Sequence, residues 1–100
     1  LNKCKEIQEL RKYLVEKYGS ANLIEVNYWE ADLAAIGFED RTQNYTIYIS
    51  VYKHKKGQYF ISLEDKSESD ELLYKPAGDF DNISMEKLEA ILIKHLRISN

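Results

Sequence analysis

Apolar and polar residues alternate most clearly between Tyr45 and Glu64, and the rest of the chain can be laid out from that stretch. Tyr45 to His54 and Gln58 to Glu64 each carry the period of a half-buried strand. Lys55, Lys56 and Gly57 lie between them, and Gly57 suits the left-handed position of a three-residue hairpin loop. That turn pairs His54 with Gln58, Val51 with Ile61 and Ile49 with Leu63. Ile47 and Tyr59 share their face. Tyr48, Ser50, Tyr52, Phe60 and Ser62 occupy the other.

Upstream, Cys4, Ile7, Leu10, Leu14 and Tyr18 recur at helical steps, predicting an amphipathic helix over 2–18 that stops at Gly19. Residues 23–30 and 33–39 alternate as two strands. A turn at Glu30-Ala31-Asp32 pairs Trp29 with Leu33, Val26 with Ile36 and Ile24 with Phe38, which brings one apolar set onto one face. A polar loop, Arg41 to Asn44, then sets Phe38 beside Ile47 and Ile36 beside Ile49. After the acidic stretch 65–71, Leu72 to Lys75 is expected as a short edge strand that Pro76 ends. Ala77 to Asn82 reads as a turn region. Ser84 is expected to cap a second helix, with an Ile83–Leu88 hydrophobic staple. Its apolar face runs through Leu88, Ile91, Leu92 and Leu96, and basic residues gather in its last turn.

This order implies one α+β domain, residues 1–100. It is a two-layer sandwich: a four- to five-stranded antiparallel meander with the N- and C-terminal helices on one face. The helices would cover Ile24, Val26, Ile36, Phe38, Ile47, Ile49, Val51, Ile61 and Leu63. The opposite face then reads in rows. The first is Trp29, Leu33, Tyr52 and Phe60, and the third includes Gly37, Tyr48 and Glu64. An open sheet face is usually polar. A contiguous aromatic row on one marks either an interface or cross-strand packing worth about 0.2–1 kcal/mol per pair. Both readings stand at this level.

Composition narrows the function. A net charge of −3 disfavours nucleic-acid binding, which needs clustered Lys and Arg; the basic tip at Lys53, Lys55 and Lys56 has no supporting patch. The single Cys4 points to a reducing, cytoplasmic setting, and no apolar run is long enough to span a membrane. The chain does not begin with Met, which leaves a trimmed start open. His54, His95 and Cys4 lie on different elements at no metal-ligand spacing, and no glycine-rich loop cradles phosphate. No cofactor and no catalytic residue is expected. Asp65, Glu68, Asp70 and Glu71 form an acidic loop suited to a basic partner.

In size, mild acidity, lone cysteine and helix–meander–helix layout, the chain resembles the small immunity proteins that bacteria encode beside polymorphic toxins. That resemblance implies a non-catalytic protein that binds and neutralises a toxin domain, and the acidic loop suits a basic one. The expected partner-binding residues, taken from the sheet-face rows and the acidic loop, are Trp29, Leu33, Tyr48, Tyr52, Phe60, Asp65, Glu68, Asp70 and Glu71. The alternatives are a homodimeric structural or chaperone-like protein pairing through the same face, and a small enzyme or ligand binder with a carboxylate and tyrosine pocket.

Overall fold

The computed structural model describes residues 2–66 and 74–99. The elements are α1 (Lys5–Tyr18), β1 (Ile24–Val26), β2 (Ala35–Glu39), β3 (Tyr45–Ser50), β4 (Gln58–Lys66), β5 (Tyr74–Ser84) and α2 (Met85–His95). The strands form one antiparallel meander in sequence order, β1-β2-β3-β4-β5. Both helices pack on one face, as the alternation requires. Ile7, Leu10 and Leu14 of α1 and Leu88 and Leu92 of α2 close over Ile36, Phe38, Ile47, Ile49, Ile61 and Leu63. Each such side chain, fully buried, contributes about 1.5–3 kcal/mol.

The β2–β3 register is the expected one, with Phe38 opposite Ile47 and Ile36 opposite Ile49. Its turn is held by Asp40, which is 4% exposed. Asp40 Oδ1 accepts from the backbone N–H groups of Asn44 (2.9 Å) and Tyr45 (3.1 Å), and Oδ2 accepts from the Thr42 hydroxyl. Burial pushes the Asp40 carboxyl up, but these hydrogen bonds outweigh it and hold the group below the usual carboxylate range.

Three expectations are corrected. The 23–30 strand ends at Val26, and its register is one residue off: Val26 pairs with Gly37 and Ile24 with Glu39. A one-residue slip exchanges the faces. Glu25 therefore lies on the helix side, 3.0 Å from Arg11 of α1, and Ile24 and Val26 leave the core for the open face. Leu23, 2% exposed, takes their place. Residues 27–34 form turns instead of strand, through Glu30 N–H to Asn27 O and Asp32 N–H to Trp29 O. The start of the chain ties this loop down. Lys3 Nζ donates to the Trp29 and Asp32 carbonyls and Cys4 N–H to the Leu33 carbonyl; Cys4 is extended, and α1 starts at Lys5 and not at residue 2.

The central hairpin is shifted by two residues, so that Ile49 faces Ile61 and Ile47 faces Leu63. An even shift keeps the faces, so the core is unchanged. The loop runs from Val51 to Gly57 because the chain turns back early, at Lys53 (φ 56°), with His54 N–H bonded to Val51 O.

The last strand is also longer than expected. β5 spans Tyr74–Ser84 across Pro76 and Gly78. Two register shifts against β4 absorb the irregularity, and Pro76 is tolerated because β5 is an edge strand. Ser84 caps α2 as expected, accepting from Lys87 N–H. Between the helices, Glu89 receives the Tyr13 hydroxyl (3.0 Å), Lys17 Nζ (2.7 Å) and the Tyr18 hydroxyl (2.5 Å). Among the described residues no helix is long and apolar enough to cross a membrane.

Candidate functional site

The flipped register of β1 gives the open sheet face its shape. Gly37, at the middle of β2, carries no Cβ, and the Trp29 ring lies on it in the space a Cβ would need. From there aromatic rings run on in both directions. Trp29 meets Tyr48 on β3 at 5.0 Å between ring centroids, and Tyr48 meets Phe60 on β4 at 6.3 Å. On the other side Trp29 meets Tyr28 at 6.0 Å, and Tyr28 meets Tyr74 of β5 edge-on at 6.0 Å. Tyr74, Tyr28, Trp29, Tyr48 and Phe60 thus form an unbroken chain of rings on the face away from the helices. Tyr28 is 58% exposed and the others are half-buried.

Polar groups fix this chain in place. The Tyr48 hydroxyl donates to Asp32 Oδ2 at 2.7 Å, linking β3 to the loop that carries Trp29. Burial, and then this carboxylate, push the Tyr48 phenol up. One row further along, the register sets Glu39, Thr46 and Glu64 side by side on the same face. Burial, then the neighbouring Asp40, raises the Glu39 carboxyl; burial, then Asp79, raises Glu64. Tyr74 spans this row. Burial raises its phenol most, and it feels both Thr46 and the Glu39 charge.

The structure brings together Trp29, Tyr48 and Phe60 of the expected residues. It does not bring in the others. Tyr52 stands 63% exposed in the β3–β4 loop, beyond the strand, with Lys53 Nζ over its ring. Leu33 is half-buried and tied by its carbonyl to Cys4 N–H at 2.7 Å. Asp65 faces the helix layer, 3.9 Å from His95 Nε2. Glu68, Asp70 and Glu71 lie outside the described residues.

Sequence reasoning missed Tyr28 and Tyr74. Tyr28 fell on the core face in the mistaken β1 register, and Tyr74 was expected in a strand of its own. The signal that was available is Gly37. A glycine inside an alternating strand marks a close approach, and the large ring able to fill it was Trp29 as readily as Tyr48.

Two grooves lie apart from the chain of rings. One, of about 450 Å³, is lined by Lys3, Arg11, Glu25 and Glu30. The other, of about 440 Å³, lies between α2 and the β4–β5 edge and holds Tyr45, Asp65, Phe80 and His95. In the second groove His95 Nε2 is 3.1 and 3.2 Å from the Thr46 and Glu64 carbonyls, so its N–H is already committed to the backbone. No family model, curated protein or solved structure matches the chain, so the open face is characterised by its own geometry alone.

Proposed function

We propose that the protein is a non-catalytic protein-binding module whose open sheet face takes one partner protein, in the manner of an immunity-type inhibitor of a toxin. The observation that carries the reading is the chain of five aromatic rings across the face not covered by the helices. Large aromatic side chains supply most of the anchoring energy in protein interfaces, and they lose little conformational freedom on binding. Here Trp29, Tyr48 and Phe60 are held rigid from below by the sheet, and the more exposed Tyr28 stands above them. Carboxylates of the same face and rim, Glu39, Glu64, Asp79 and Asp81, add a negative surround that suits a basic partner.

The test is capture from the native host with three forms of the protein: wild type, Tyr28→Ala/Tyr74→Ala, and Tyr52→Ala. The reading expects one partner at fixed stoichiometry on the wild type and on Tyr52→Ala, and its loss from the double variant with little change in thermal midpoint. A partner that the double variant retains would refute the placement of the site. No partner, together with a dimer mass in dilute solution, would reassign the face to self-association.

A further inference from the structure

We infer that the Glu39–Thr46–Glu64 row is the seat for an arginine side chain of the partner protein, clamped between two carboxylates and stacked on the tyrosines above them. This rests on the partner-binding reading and names the chemistry of its contact.

Three observations on the open face converge. First, Glu39 and Glu64 flank Thr46 from the two neighbouring strands, so their backbones stand roughly 9–10 Å apart. Their side chains rise on one face to either side of Thr46, a spacing that one planar cation can bridge. Among the described residues neither carboxylate has an ion-pair partner; Lys66, next on this face along β4, makes none.

Second, Thr46 is 1% exposed, and among the described residues its Oγ1 has no hydrogen-bond partner. Tyr74 approaches it without reaching hydrogen-bond geometry. A buried hydroxyl with nothing to bond is costly and uncommon in a stable fold. This one lies between two carboxylates without an ion pair among the described residues, where a donor-rich ligand would satisfy all three groups. Third, Tyr74, which approaches Thr46 and Glu39 of this row, meets Tyr28 edge to face. Arginine fits this set better than lysine. Its planar guanidinium carries five donors in a fixed fork, bonds carboxylates bidentately and stacks on aromatic rings, whereas an ammonium is a strongly hydrated point charge.

The burial that raises Glu39 and Glu64 supports the same conclusion, because a cation entering the row would relieve both groups.

The test uses the whole chain and small probes, so it does not depend on first finding the partner. Isotope-labelled protein is titrated with N-acetyl-arginine methylamide, and separately with the lysine and citrulline analogues. The inference expects saturable shifts centred on Glu39, Thr46, Glu64 and the Tyr28 ring, arginine binding several-fold tighter than lysine, and none with citrulline. Glu39→Gln/Glu64→Gln should weaken arginine binding at least tenfold while leaving the folded spectrum intact. Shifts that do not saturate, that map elsewhere, or that citrulline reproduces would overturn it.

The same double glutamine variant separates this inference from the one it rests on. A partner lost by Tyr28→Ala/Tyr74→Ala but held at full affinity by Glu39→Gln/Glu64→Gln would overturn the arginine seat and leave the binding face standing.

Discussion

Gly37→Ala tests the packing on which the whole open face depends. Gly37 is paired on both sides within the sheet and has no left-handed backbone requirement, so alanine is conformationally permitted there. Were the position open, the substitution would stabilise the protein by about 0.4–1 kcal/mol, because it lowers the entropy of the unfolded chain. The added Cβ instead meets Cε3 and Cζ3 of Trp29 at clashing distance and comes within 2.8 Å of Val26 Cγ2. Neither neighbour is a flexible chain end. Overpacking of this kind costs about 1–3 kcal/mol. Lifting Trp29 also breaks its contact with Tyr48, worth about 0.5–1.5 kcal/mol. The expected net is a loss of about 2–3 kcal/mol, a fall in thermal midpoint of roughly 10 °C or more for a chain of this size.

The assay is urea unfolding followed by far-ultraviolet circular dichroism and by tryptophan emission, which reports on Trp29 alone because the chain has one tryptophan. Emission of folded Gly37→Ala should shift to the red as the ring moves toward water. In a Trp29→Ala background the same glycine substitution should cost less than about 1 kcal/mol, since the main clash is gone. A stabilised Gly37→Ala with unchanged emission would refute the placement of Trp29 and with it the chain of rings.

Asp40→Ala removes the acceptor for two backbone N–H groups and a hydroxyl in the β2–β3 turn, and should cost about 2–3 kcal/mol in thermal unfolding, more than Asp65→Ala. Asp40 and Glu89 have lowered folded pKa values. Burial raises Glu89, but Lys17, Tyr18 and Tyr13 outweigh it. Their stabilisation is therefore full above the ordinary carboxylate range and lost as pH falls through the folded values, and an acid titration of Glu89→Ala should show a shallower loss than wild type. Glu39 and Glu64 are raised and carry the opposite sign. Their contribution is full below the ordinary carboxylate pKa and lost as pH rises through the folded value, so at pH 7 Glu39→Gln and Glu64→Gln should be neutral or stabilising. His54 bonds Asp81 Oδ1 (2.7 Å) and the Tyr52 carbonyl (2.6 Å), which together raise its pKa, so its support for the loop is present at and below the ordinary histidine range and lost as pH rises through the raised value. Proton NMR of the imidazole should show that pKa falling in Asp81→Asn.

The parts of the fold legible in the sequence are those where alternation and turn chemistry agree. β2 and β3 alternate cleanly around a four-residue loop, and their register follows from pattern alone. Both helices announce themselves by stripe and by stop or cap, at Gly19 and Ser84. In β1 the alternation of 23–30 favours a register with Ile24, Val26 and Tyr28 on the core face, and the fold departs from it. Tertiary contacts override the pattern: Trp29 settles on Gly37, and Glu25 meets Arg11. The hairpin departs from the pattern by two residues because the chain turns back early at Lys53, in a left-handed conformation that the alternation does not reveal. A shift of two preserves faces, so Tyr48 and Phe60 stayed on the open side while Tyr52 left the sheet. β5 was cut short at Pro76 because proline argues against a central strand, and nothing local to the sequence shows that this strand lies at the edge.

The most direct test of the central account is side-chain NMR of the protein bound to its captured partner, with the aromatic rings and methyl groups labelled. Binding through the open face predicts large shifts for the Trp29 indole and the Tyr28, Tyr48 and Tyr74 rings. The Phe80 ring and the Ile91 methyls, which line the groove between β5 and α2, should stay where they are. Shifts at Phe80 and Ile91 with the Trp29 indole unmoved would contradict the account and move the binding site to the groove beside α2.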